Sequence, residues 1–144
     1  QPVPYRTDRP TGLMLVCEEG TVWGAERAQR RRAIDEYRLF RTVIDGSPGK
    51  RPWKVDLPVR PRAMLKSGPY LFLGVIPKEI PEDDPHAAYE GRMGGAVWVC
   101  SEEDGSKITE RPLRSPVVWD GMAAADGSLY LSTADGRVTC MAAE

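Results

Sequence analysis

Displacing the sequence against itself by 58 residues brings Leu13, Leu71 and Leu129 into register, followed by Leu15, Leu73 and Leu131, with Met14, Phe72 and Tyr130 between them. The same shift superposes Met64 on Met122. Behind each Leu-x-Leu comes a Gly-x-Val: Gly20-Thr21-Val22 in the first copy, Gly136-Arg137-Val138 in the third, and Gly95-Ala96-Val97, delayed by an insertion, in the second. One Leu-x-Leu match carries little weight. Three in register mark an internal repeat, whose unit buries its apolar face only against neighbouring copies.

The repeat is built from short strands. Runs rich in β-branched, aromatic and leucine residues fall at 12–17, 21–24, 37–44, 52–57, 62–66, 70–76, 95–101, 107–113, 117–125, 128–133 and 136–141. Alternation is clearest where Leu129 and Leu131 flank Tyr130, and where Val97 and Val99 flank Trp98. Between runs stand Glu19-Gly20, Asp104-Gly105, Asp126-Gly127 and Asp135-Gly136. Acid–glycine pairs are hairpin turns, because glycine accepts the positive φ such turns require. A sequential antiparallel meander is expected. Residues 25–37 differ: charged and free of Gly and Pro, they predict a short surface helix, with Glu26 and Arg30 at i, i+4 spacing. Its Arg27, Arg30, Arg31 and Arg32 are balanced by Glu26, Asp35 and Glu36, so a solvated face is expected rather than a phosphate-binding patch.

Composition narrows the function classes. With 20 basic and 21 acidic residues the chain has no electrostatic footprint of a nucleic-acid binder, and no nucleic-acid partner is expected. No apolar run reaches the roughly 20 residues of a spanning helix, so no transmembrane segment is expected. The 13 Pro and 14 Gly punctuate the chain too often for a helical bundle. Cys17, Cys100 and Cys140 form no CxxC pair; buried free thiols are expected, with a Cys100–Cys140 bridge as the alternative in an exported chain. A start at Gln1 suggests a processed product or a fragment.

Each complete copy supplies four strands: one around Met64 or Met122, the Leu-x-Leu strand, the Gly-x-Val strand and an outer strand. A repeated four-stranded meander is the signature of a β-propeller blade, and a continuous β-sandwich is the competing architecture. Residues 45–53 (DGSPGKRPW) resemble the acidic-turn, Gly-Lys-x-x-Trp signature of PQQ-like propeller repeats, found in quinoprotein dehydrogenases and the outer-membrane assembly lipoprotein. Residues 101–107 (SEEDGSK) are similar to a decayed second copy, with Glu110 where the tryptophan would stand. The stretch from Asp120 to Val138 resembles a closing blade. The resemblance implies an all-β fold of about two and a half four-stranded antiparallel blades: a partial blade over 12–57 with the 25–37 insertion, a full blade over 58–113 with a loop insertion at 77–94, and a closing blade over 115–144. It implies structural roles for Trp53, packed between blades, and for Gly49, Asp104, Gly105, Asp135 and Gly136 in the turns. It also implies a periplasmic or extracellular location.

Quinoproteins hold their cofactor over calcium with carboxylate and Asn ligands, many adding adjacent cysteines. This chain has neither Asn nor adjacent cysteines, so no PQQ site is expected from it alone. The 77–94 insertion gathers Glu82, Asp83, Asp84, His86 and Glu90 within nine residues, an oxygen-rich set suited to Ca²⁺ or Mg²⁺ and, through its imidazole, to a transition metal. It lacks the Asp-x-Asp-x-Asp-Gly order of a calcium loop, which favours a solvated acidic loop. His86 is the sole histidine and has no nucleophile at recognisable spacing. Trp98 and Trp119 are candidates for a carbohydrate-stacking surface, but core or inter-blade packing is the expected role of both. The expected function is a non-catalytic repeat module that scaffolds or binds, with remaining blades or other protein chains as partners. The alternative is a segment of a propeller enzyme whose active site lies in other blades.

Overall fold

A computed structural model describes residues 12–27, 36–44 and 52–142. Its hairpins form where the acid–glycine pairs stand. Glu19 and Gly20 take φ of 45° and 76°, and Asp126 and Gly127 take 49° and 72°. Left-handed geometry at both central residues is that of a type I′ turn, whose twist matches paired strands. These turns close β1 (Met14–Glu18) on β2 (Thr21–Arg27), and β9 (Val117–Ala125) on β10 (Ser128–Thr133). Gly68, φ 55°, and Pro69 close β5 (Val59–Ser67) on β6 (Tyr70–Pro77). The Asp104-Gly105 and Asp135-Gly136 loops are longer, with positive φ at the glycine alone. They join β7 (Gly95–Ser101) to β8 (Lys107–Leu113), and β10 to β11 (Val138–Ala142). With β3 (Tyr37–Val43) and β4 (Trp53–Leu57) the described residues hold eleven strands and no helix.

All pairings are antiparallel and sequential. Among the described residues they make three separate sheets, β1-β2-β3-β4, β5-β6-β7-β8 and β9-β10-β11, and no closed barrel. The fold is therefore all-β, and the strand pattern of the sequence is realised run by run. The sheets stack face to face. Trp23, Ala25, Leu39 and Leu57 of the first sheet meet Met64, Leu71, Leu73 and Cys100 on one face of the second. On its other face Ala63 and Val97 meet Val117, Leu129 and Leu131 of the third. The second sheet is thus apolar on both sides, which is why β6 reads Leu-Phe-Leu-Gly-Val-Ile without alternation. Gly74 lets the third sheet approach: a Cβ there would lie 3.0 Å from Val117 and 3.1 Å from the Met122 sulfur.

Three expectations need correction. Ala25–Arg27 and Tyr37, the ends of the expected helix, are strand, with Glu26 paired to Arg38 and Arg27 to Tyr37; residues 28–35 lie outside the described residues. The pairing of β2 with β3 overrides the local helix preference. The first unit, expected to be partial, has four strands among its described residues. Finally, the first Leu-x-Leu is not equivalent to the other two. Leu71 and Leu73 lie on β6 and Leu129 and Leu131 on β10, each the second strand of its sheet, with Met64 opposite Leu73 and Met122 opposite Leu131. Leu13 and Leu15 lie before and on β1, an edge strand among the described residues, and both are 43% exposed. The structural repeat joins the second and third sheets.

Candidate functional site

The junction of the first two sheets is organised around one carbonyl. The β7–β8 turn is held by internal bonds: the Gly105 amide donates to the Ser101 carbonyl (3.0 Å), the Glu103 amide to Ser101 Oγ (3.1 Å) and the Ser106 amide to Asp104 Oδ1 (2.9 Å). Hydrogen bonding from Ser106 holds the Asp104 carboxyl below its ordinary range. The Glu102 amide ties the turn to the Pro69 carbonyl (3.1 Å). So fixed, the Glu102 carbonyl accepts two indole N–H groups, from Trp23 at 3.2 Å and Trp53 at 3.1 Å. Gly105, φ 73°, makes room for the Trp53 ring, which a Cβ would meet at 2.7 Å. Lys66 lies 5.0 Å from the centre of the Trp23 ring and pairs with Glu18 and Glu102. Burial lowers its pKa, but the hydrogen bonds that Lys66 donates to Glu18 and Glu102 outweigh that and raise it overall. This is a joint between sheets: Lys66 is held by its two acids, while Arg41 lies 5.5 Å from the centre of the Trp23 ring with its Nε buried and without a hydrogen-bond partner among the described residues.

The 77–94 insertion does not assemble a cation site. Its chain makes a single helical turn, the Glu90 amide donating to the His86 carbonyl (2.9 Å), and buries Ala87 and Ala88. Arg92 takes the acids instead. Its Nε donates to Asp84 Oδ2 at 2.9 Å, a second nitrogen donates to the other Asp84 oxygen, and a third pairs with Glu90. The Arg92 hydrogen bonds hold the Asp84 carboxyl below its usual range and raise the guanidinium. Glu82 and Asp83 are exposed and do not join them, and the exposed His86 meets Asp84 through a backbone hydrogen bond. Among the described residues no three of His, Cys, Asp and Glu lie close enough to hold a metal. Arg92, an arginine two residues beyond the acidic run, was the sequence signal for this outcome.

The third feature is a groove of about 670 Å³ between the second and third sheets. Its walls include Phe72, Val97, Val99, Thr109, Leu129 and Met141. Four of these, Phe72, Val97, Leu129 and Met141, also belong to the core joining the two sheets, so the groove is that core's open extension. Its origin lies in β8. Leu57 pairs with Tyr37 and Leu113 with Gly95, each ending a fourth strand opposite the start of a third. Counting back four residues from each leucine places Thr109, not Glu110, in the position of Trp53. The alignment that put Glu110 there is off by one, which reverses the face: Glu110 lies opposite Trp98 and pairs with Lys107 at 2.7 Å. Where Trp53 fills the first junction, Thr109 leaves the second open.

The remaining candidates fall elsewhere. Trp98 packs against the first core with Lys107 at 4.3 Å from its ring, whereas Trp119 stands 58% exposed on an irregular stretch of β9, so the two do not form one stacking surface. Only Cys100 is a buried thiol; Cys17 and Cys140 are exposed and all three are free. Cys100 pairs with Leu71 and faces the first sheet, while Cys140 pairs with Tyr130 on the outer face of the third, which excludes their bridge in this fold. Burial pushes the Cys100 thiol up to about 11. Asp135 and Gly136 lie in the β10–β11 turn, where the Thr133 hydroxyl donates to Asp135 at 2.6 Å and lowers its pKa. Arg27 is exposed at the end of β2; Arg30, Arg31, Arg32 and Gly49 lie outside the described residues. No described helix is long and apolar enough to cross a membrane. The sequence matches no protein-family model and no curated relative.

Proposed function

We propose that this chain is a non-catalytic PQQ-like β-propeller repeat module, serving as a scaffold or protein-binding segment of a larger exported protein. One observation carries this: the second and third sheets share a register, yet among the described residues only the second has both faces covered. The third sheet turns Tyr130, Val138 and Cys140 outward, with Val138 73% exposed. A sheet apolar on its outer side seeks a further layer, and exposed apolar patches mark protein–protein surfaces. In a propeller that layer is the next blade. The assignment to an exported protein rests on the Gly-Lys-x-x-Trp resemblance around Trp53.

Sedimentation velocity of the chain tests the proposal. Assembly beyond 16.0 kDa that Val138→Arg reverses, with the melting transition kept, is the expected result. A cooperative 16.0 kDa monomer of the unsubstituted chain overturns it. Alcohol-dependent dye reduction after addition of PQQ and Ca²⁺ would favour an enzyme instead.

A further inference from the structure

Three connections at one end of the second and third sheets enclose a second cavity. In a sequential meander the β6–β7 insertion, the β8–β9 link and the β10–β11 turn all fall at the same end of the strands. Glycines let them meet closely. A Cβ at Gly91, φ 82°, would lie 3.0 Å from the Pro116 ring in the link and 3.7 Å from Ala134 in the turn. A Cβ at Gly94, φ 69°, would lie 2.7 Å from the Leu113 carbonyl. Link and turn are also tied directly: the Ala134 amide donates to the Pro116 carbonyl (2.9 Å) and the Asp135 amide to Ser115 Oγ (3.1 Å). Between the three segments lies an open cavity of about 440 Å³, within the roughly 300–1,000 Å³ of small-molecule sites. Each segment contributes an arginine to its wall: Arg92, Arg114 and Arg137.

The acids near the cavity are already engaged. Arg92 holds Asp84 and Glu90, and Asp135 accepts the Thr133 hydroxyl at 2.6 Å. Arg137 reaches Asp135 only at 3.7 Å, too far for a hydrogen bond. Arg114 makes no ion pair or side-chain hydrogen bond among the described residues. Two guanidinium groups thus bring unused donors to the wall, in a fork that matches the paired oxygens of a tetrahedral oxyanion. We propose that this cavity binds a small phosphate- or sulfate-bearing molecule, its oxyanion held by Arg114 and Arg137 and by the donors that Arg92 has left. The insertion whose acids suggested a cation site serves an anion instead, because Arg92 has neutralised them. Once Asp84 is counted the acids equal the arginines, so recognition rests on directed donors rather than on net charge. In so open a cavity the affinity is on the order of millimolar. The site goes beyond the module assignment and does not rest on it, since neither further blades nor a partner chain is needed to build it.

The test is an NMR titration of the isotope-labelled full chain with inorganic phosphate, against sodium chloride of equal ionic strength. The amides of Gly91, Ser115 and Gly136 should shift saturably with phosphate and not with chloride. Arg114→Gln should weaken binding by about tenfold, the loss of one charge-assisted contact. Arg111→Gln removes the same charge from β8, outside the cavity wall, and should leave binding unchanged. Glu90→Gln frees a donor of Arg92 and should tighten binding by up to about fivefold. All three positions are exposed, and an unchanged melting temperature checks that each variant folds. Phenyl phosphate and phenyl sulfate as competitors tell the two esters apart, and competition by either supports the site. Competition by neither marks an adventitious ion only and overturns the proposal. So do shifts that never saturate, equal losses in Arg111→Gln and Arg114→Gln, or acetate binding as tightly as phosphate. A failure here leaves the sedimentation result standing, since none of the three arginines belongs to either inter-sheet core.

Discussion

Replacing Trp53 measures how strongly the first two sheets are held together. Its ring is half-buried in the inter-sheet core and rests on Gly105. Truncation to alanine removes about 2 kcal/mol of burial and packing, less than the about 3–5 kcal/mol of a fully enclosed tryptophan. Loss of the hydrogen bond to the Glu102 carbonyl (3.1 Å) adds about 1 kcal/mol. The total of about 3 kcal/mol should lower the melting temperature by about 10 °C. Trp53→Phe keeps most of the area and should cost only about 1 kcal/mol, because Trp23 still donates to the same carbonyl. That sharing makes a sharper test. When Trp23→Phe is added, the carbonyl loses both donors, so the double variant should exceed the sum of the singles by about 1 kcal/mol. Urea titrations of the five proteins, the unsubstituted chain and its four variants, with a common slope, give these values. An additive cycle, or a Trp53→Ala cost below about 1 kcal/mol, would refute the shared-acceptor joint.

Gly105→Ala should destabilise by about 2 kcal/mol or more, since it combines a left-handed backbone at φ 73° with a Cβ 2.7 Å from the Trp53 ring; in the Trp53→Ala background the penalty should fall. Thiol titration at pH 8 should modify Cys17 and Cys140 rapidly and Cys100 only after denaturant, because burial raises the Cys100 thiol to about 11. Asp84, Asp104 and Asp135 are each lowered below 3.8, so they contribute stability that is present above that value and lost as pH falls through their folded values. Asp104→Asn should therefore flatten the acid limb of a pH–stability profile followed by tryptophan fluorescence. Calcium should not shift the melting temperature, because Arg92 already occupies Asp84 and Glu90; a rise that vanishes in Asp84→Asn would contradict that pairing.

Strand positions were legible because the turn chemistry is local. Glu19-Gly20 and Asp126-Gly127 need nothing beyond their own residues to adopt left-handed backbone, and they punctuate the chain wherever they occur. The 25–37 segment was misjudged because its fate depends on β3, which lies beyond it in sequence and recruits Ala25–Arg27 as a pairing partner. Leu13 and Leu15 were misjudged for a related reason: identity of residues does not fix which strand of a sheet they form. The metal set failed on side-chain reach, since an arginine eight residues from Asp84 satisfies the same oxygens a cation would need. Lys66, Glu102 and Thr109 were missed altogether. The position of Thr109 was recoverable by counting back from the strand-ending leucines, Leu57 and Leu113, rather than forward from the glycine turns.

The second and third sheets are alike on one face and differ on the other. Met64 with Leu73 and Met122 with Leu131 occupy matching places, so burial toward the preceding sheet is encoded alike in both. The opposite faces diverge. Phe72, half-buried, lies between sheets, and its counterpart Tyr130 is 39% exposed and carries a hydroxyl that tolerates water. Around it stand alanines 123 and 125, Ser132 and Cys140, small side chains that expose little apolar area each. The outer face is thus flat and mildly apolar rather than oily, suited to a layer that docks closely on small residues while remaining soluble before it does. Widening that face should separate the two properties. Ala123→Phe would leave the inward-facing leucines untouched and the melting temperature nearly unchanged, while blocking close docking of a further sheet. Sedimentation should then show a loss of assembly without a loss of fold; assembly unaffected by Ala123→Phe would place the docking surface elsewhere on the molecule.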